Sequence, residues 1–154
     1  MLNLIGEFDC RLDAKGRLVL PAVLRKQLGK EADAGFVMNR DVHAPCLVLY
    51  PNSVWEKTSQ KLRRLNRFVK ANAEFVRRFN AGATPVAPDP TGRMLLPYAL
   101  VKSAQLGADI KLLGSDDRIE VWDAKVYDQW RSETVDMSSL SDQVMGALGN
   151  EDGQ

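Results

Sequence analysis

Asp13-Ala-Lys-Gly-Arg-Leu-Val-Leu-Pro21 returns later in the chain as Asp89-Pro-Thr-Gly-Arg-Met-Leu-Leu-Pro97. The offset is 76 residues (89 − 13), and Asp, Gly, Arg, Leu and Pro fall in register. Further along, Leu28-Gly29 matches Leu106-Gly107, Leu47-Val-Leu-Tyr50 matches Ile119-Glu-Val-Trp122, and Val54-Trp55 matches Val126-Tyr127. Two copies are too few for a solenoid, whose terminal repeats need inner neighbours to cover them. They suit two halves packed about one pseudo-twofold axis.

The residues inside each copy dictate local structure. Phe8, Cys10 and Leu12 alternate with Asp9 and Arg11, the period of a half-buried strand. Asp13-Ala-Lys-Gly16 has the chemistry of a type I turn, and Pro90 in the second copy sits where fixed φ suits that turn. Gly16 and Gly92 are expected at positive φ, so that Arg17 and Arg93 begin a returning strand beside an exposed hairpin tip. Pro21 and Pro97 suit the first turns of helices over 22–28 and 98–106, with Gly29 and Gly107 as the residues that end them. A longer helical stretch covers 53–79, opening on the possible capping box Ser53–Glu56 and open to a break near Asn66 or Asn72. The resulting division is a first repeat at 1–56, a helical linker at 57–80, a second repeat at 81–133 and a flexible polar tail at 134–154.

Composition narrows the function. With 45% hydrophobic and 27% charged residues the chain is globular, and no apolar run approaches a membrane span. The N-terminal Met1-Leu-Asn-Leu-Ile-Gly-Glu7 has no basic region of a signal peptide. A cytoplasmic location is expected, in which Cys10 and Cys46 fit as free thiols. The net charge of +1 conceals a split. Residues 1–80 hold 15 Lys/Arg against 8 Asp/Glu, or +7, and residues 81–154 hold 6 against 12, or −6. Such a split either offers one face to phosphate or merely solvates helices. His43 is the single histidine, which leaves no triad or metal cluster to assemble, and the motif lacks the Gly-Lys-Ser/Thr end of a phosphate-cradling loop. No enzyme, metal, cofactor or small-molecule substrate is expected.

The doubled Asp-x-x-x-Arg motif, each followed by Pro four residues on, resembles the MraZ family. Gly6-Glu7-Phe8, Leu49-Tyr50-Pro51 with Trp55-Glu56, and Ile119-Glu-Val-Trp122 support the likeness, which extends over about residues 1–133. The resemblance implies an α+β, mainly β fold with short helices, an AbrB-like swapped-hairpin β-barrel formed by two internal repeats with a helical linker. It also implies a transcriptional regulator associated with the nucleoid. Such a protein recognises short direct repeats in double-stranded promoter DNA of the division and cell-wall gene cluster, including its own gene, and assembles as a ring-shaped homo-oligomer. The family's DNA-contacting arginines map to Arg17 and Arg93. Thr91 stands where the first copy has Lys15, so the copies are expected to meet DNA unequally.

Taken alone, an arginine at a turn is an ordinary ion-pair partner for its neighbouring Asp. Its recurrence in a matched pair favours guanine recognition through O6 and N7. On that reading Lys15 is a phosphate contact, and Asp13, Asp89, Gly16 and Gly92 orient the motif. Trp55, Trp122 and Trp130 read as core or interface anchors. Two alternatives remain: an AbrB-like antitoxin, and a ring-forming structural protein that binds no DNA.

Overall fold

The alternation and punctuation of each copy set its elements. The computed structural model describes residues 1–152. In chain order these residues form β1 Leu4–Arg11, β2 Arg17–Val19, α1 Ala22–Leu28, α2 Glu31–Ala34, β3 Phe36–Arg40, β4 Leu47–Pro51, α3 Asn52–Arg63 and α4 Lys70–Gly82. There follow β5 Thr84–Val86, β6 Arg93–Leu95, α5 Tyr98–Ser103, β7 Asp109–Asp116, β8 Arg118–Asp123, α6 Ala124–Ser132 and α7 Met137–Asp152. The fold is α+β, and the helices together hold more residues than the strands.

Two antiparallel sheets result: a six-stranded one in the order β1-β7-β8-β4-β3-β5, and the two-stranded ribbon β2-β6. Each repeat lends its first strand to the other. β1 pairs with β7 along its whole length, and β5 pairs with β3. The registers obey one axis. Leu18 faces Met94 in the ribbon and Val48 faces Glu120 in the large sheet, so at both places a residue meets its own counterpart. Phe8 opposite Leu112 is mirrored by Thr84 opposite Met38. The tips are therefore not hairpins in which β1 and β2 pair with each other; each joins a strand of one sheet to a strand of the other. Local pairing would leave each half with bare edges and half a core, whereas exchange shares one core between both. The expected barrel is not closed: the ribbon lies against the large sheet without a hydrogen-bonded seam. Pro21 and Pro97 lie just beyond the three-residue β2 and β6, and neither can donate to a longer ladder.

The shared core takes matched residues from both copies: Leu18 with Met94, Leu20 with Leu96, Leu24 with Leu100, Leu47 with Ile119 and Leu49 with Val121. Leu18, Leu24 and Leu47 are wholly covered, so truncating any of them to Ala is expected to cost about 2–5 kcal/mol.

The helix ends differ between copies. Gly29 closes α1 at φ 59°, its N–H donating to the Arg25 carbonyl at 3.0 Å. The corresponding left-handed residue in the second copy is Gln105, at φ 55°. Gln105 N–H donates to Lys102 O at 3.1 Å and Leu106 N–H to Val101 O at 3.0 Å, the paired bonds of a Schellman end. Helix α5 thus stops at Ser103, short of the expected 106. Gly107 instead braces the start of α6. Its N–H donates to Asp123 Oδ1 at 2.8 Å, and a Cβ there would crowd that oxygen at 3.3 Å. Asp123 Oδ2 in turn accepts from the first N–H groups of α6.

The linker breaks at Asn66, whose side-chain oxygen accepts from Phe68 N–H at 3.0 Å, while Asn72 lies within α4. The expected capping box does not form, because Ser53 Oγ donates instead to the Glu31 carboxylate at 2.6 Å. Helix α4 is tied to β3 by buried Asn39, which donates to Phe79 O at 2.9 Å. Trp55 stacks on Phe79 at 5.7 Å, and Trp122 is buried between Tyr127 and the half-exposed Trp130. Both cysteines are free; burial raises both thiols, Cys46 the more strongly, and so disfavours thiolate. Where a flexible tail is expected, Asp136 accepts from Ser139 N–H at 3.1 Å and starts α7. Residues 153 and 154 of that tail lie outside the described residues. Among the described residues no helix is long and apolar enough to cross a membrane.

Candidate nucleic-acid interface

Each tip is built around one aspartate. In the first copy Asp13 Oδ1 accepts from the backbone N–H of Lys15 and of Arg17, both at 2.9 Å, and Gly16 N–H returns to Asp13 O at 2.9 Å. Gly16 takes φ 79° and Gly92 φ 82°, with open space where a Cβ would project. Backbone conformation alone therefore requires glycine at both turns. In the second copy Asp89 Oδ1 accepts from Thr91 and Arg93 N–H at the same 2.9 Å.

The side chains diverge above this common backbone. Arg17 Nε donates to Asp13 Oδ2 at 2.6 Å. Arg93 Nε donates to the Thr91 hydroxyl at 2.9 Å and stays 3.7 Å from Asp89 Oδ2. Thr91 in turn donates its hydroxyl proton to Asp89 Oδ1 at 2.7 Å. Both carboxyls are held below the usual aspartate range for different leading reasons. For Asp13 the main cause is the Arg17 backbone N–H; for Asp89 it is the Thr91 hydroxyl. In both tips the outer guanidinium nitrogens remain available once Nε is engaged.

Because Leu18 and Met94 turn inward on the axis, Arg17, Val19, Arg93 and Leu95 share the outward face of the ribbon. Arg17 faces Leu95 and Arg93 faces Val19, which makes the arginines a diagonal pair, a spacing of roughly 7–8 Å between residues. The two arginines line one shallow concavity of about 620 Å³ together with Arg11, Asp13 and Val19. Lys15 is not gathered there. It borders a separate hollow with Gly16, Leu95 and Tyr98. The repeat does not single out Arg11, although its outward place in the strand alternation and its nearness to the motif mark it. Its contact with Asp109 is a loose 4.0 Å between well-exposed side chains, which leaves its charge largely free. Among the described residues, no cluster of His, Cys, Asp and Glu could hold a metal ion.

Comparison with known proteins agrees with the repeat seen in the strands. A family model described as "MraZ protein, putative antitoxin-like" matches twice, over residues 4–78 and 79–146. Relatives named "Transcriptional regulator MraZ" align almost end to end. The one from Flavobacterium psychrophilum is 40% identical over 99% of this chain and 98% of its own. That from Christiangramia forsetii is 42% identical over 95% of each, and that from Bacteroides thetaiotaomicron 32% identical over 100% and 99%. The tandem match follows the same two halves that exchange strands about the axis, and the chain belongs to the MraZ family.

Proposed function

We propose that this chain is a sequence-specific DNA-binding transcriptional regulator and not an enzyme, acting in the cytoplasm at the nucleoid. The observation that carries the reading is the outward face of the β2–β6 ribbon, where two half-buried arginines related by the pseudo-dyad share one concavity. A two-stranded ribbon fits the major groove, and a guanidinium fork suits guanine O6 and N7. Their separation spans about two base-pair steps at roughly 3.4 Å each, so both arginines address one short site. In this reading Arg17 and Arg93 contact bases and Lys15 contacts phosphate, with Arg11 adding to the same field. Asp13 and Asp89 hold the arginines, and Gly16 and Gly92 hold the turns. The relatives' name supports regulation as the outcome.

One ribbon covers few base pairs. We therefore read the protein as a homo-oligomeric ring engaging short direct repeats in the promoter of the division and cell-wall cluster, where linked sites gain avidity of about 10²–10⁴. Titration of Arg17→Ala against cognate and scrambled duplexes tests the site. A loss of about 1–3 kcal/mol on cognate DNA with flattened discrimination is expected. Parental binding to both duplexes by Arg17→Ala would overturn the assignment.

A further inference from the structure

The charge split of the sequence does not reside in the β body. Residues 1–51 carry 7 Lys/Arg against 6 Asp/Glu and residues 83–131 carry 6 against 7, so both are nearly neutral. The α3–α4 hairpin, residues 52–82, carries 8 against 2, or +6. Residues 132–154 carry no Lys or Arg and five acids: Glu133, Asp136, Asp142, Glu151 and Asp152. Two helical appendages of opposite charge project from a neutral core.

Each appendage also bears apolar surface that the chain leaves uncovered. Met137, Leu140, Val144 and Leu148 follow one another at i, i+3, i+7 and i+11 along α7, and all are exposed. That is the anchor spacing of a helix lying in a groove. The helix contains Gly146 and Gly149, each costing about 1 kcal/mol relative to Ala, and residues 137–149 are all exposed. A helix of this length without packing is marginal in water, so a docking surface is what would hold it. Such a surface lies beside α4: a groove of about 500 Å³ lined by Val42, Ala71, Phe75 and Phe79, with Arg40 and Arg78 at its rim. Val42 and Phe75 are exposed. The two acids of the lining are already engaged. Glu74 is held by Arg77 and Arg78, and Asp41 accepts from two backbone N–H groups. Arg40 has no ion-pair partner among the described residues. The α7 stripe rises about 17 Å and α4 about 19 Å, so one can lie along the other.

We infer that α7 of one copy docks in the α4 groove of a second copy, its acidic flanks against the basic hairpin. The contact is head-to-tail, because the two surfaces differ and each copy carries both. It rests on the proposed self-association and names the segment that makes it. The test uses the full chain with Cys10→Ser. Chains carrying Ala71→Cys and chains carrying Val144→Cys are co-expressed and treated with a short bismaleimide, with light scattering in parallel. The mixture is expected to yield at least ten-fold more product of twice the chain mass than either chain alone. Adding Leu140→Asp to the Val144→Cys chain, or raising salt, should suppress that product. Two outcomes overturn the docking: linkage among Val144→Cys chains alone, or none. An oligomer seen by scattering without the cross-link sinks this contact and leaves self-association standing; a monomer removes both.

Discussion

The two tips share a backbone and differ in what it carries. At Asp13–Arg17 and Asp89–Arg93 the carboxylate bonds to two N–H groups are alike at 2.9 Å, and the glycines differ by three degrees in φ. Yet the first tip presents Arg11, Lys15 and Arg17, where the second has Ala87, Thr91 and Arg93. Arg17 is clamped by its own aspartate and its side chain is 24% exposed; Arg93 is steadied through a hydroxyl and is 40% exposed. One scaffold thus offers a rigid, strongly cationic tip and a looser, weakly cationic one. Shape is fixed by aspartate and glycine, while charge is left to the positions between them.

The broadest way to break this comparison is to separate the copies. A fragment ending at residue 80 lacks β7 for β1 and β6 for β2. It is expected to show no cooperative monomeric melting in circular dichroism with sedimentation. A monomeric fragment that melts sharply would mean that the halves are independent. Next in size are Gly16→Val and Gly92→Val. Each should cost about 1–3 kcal/mol in denaturant unfolding, because β-branching is strained at positive φ. The two costs should agree if the turns are equivalent, and Ala14→Val should stay within about 0.5 kcal/mol of the parent. Exchanging the charges sharpens the contrast: Thr91→Lys should steepen the salt dependence of DNA binding by about one unit of slope, and Lys15→Thr should flatten it similarly.

The smallest effect is in proton binding. Both aspartates titrate below their ordinary value of 3.8 in the folded chain. Their stabilising contribution is therefore present above the unfolded pKa and fades as pH falls through the lower folded one. Thr91→Val removes the leading cause at Asp89 and should move that carboxyl back toward its ordinary value in an NMR titration. Lys15→Val should leave Asp13 in place, because Lys15 contributes only a backbone N–H.

What was legible in the sequence is what short-range chemistry encodes. The offset of the motif fixes the register of Leu18 on Met94, and Asp, Gly and Pro announce turns whose φ values follow from sterics. Strand exchange came only with the family resemblance, as a swapped hairpin, and not from the residues themselves: period-two alternation says which face of β1 is covered but not which strand lies beside it. Gln105 escaped because Gly107, two residues on, offered the more usual chemistry for a helix end. Its left-handed conformation is held by the Leu106 and Gln105 amide bonds rather than by residue type. Helix α7 was hidden by serines and glycines that read as irregular chain. In the candidate site the arginine pair was legible from the repeat, whereas the separation of Lys15 from it depends on the direction in which the turn leaves the ribbon.

The pairing of β1 with β7 also sets a schedule. Cys10 meets Ile110, one hundred residues later in the chain. At translation rates of about 5–20 residues per second, the first strand waits roughly 5–20 s on the ribosome before its partner emerges. During that wait its edge is open to the β3 of another nascent chain, the counterpart of β7 in the first repeat. Protein made on crowded messages should therefore be more prone to intermolecular strand exchange than the same sequence refolded in dilution.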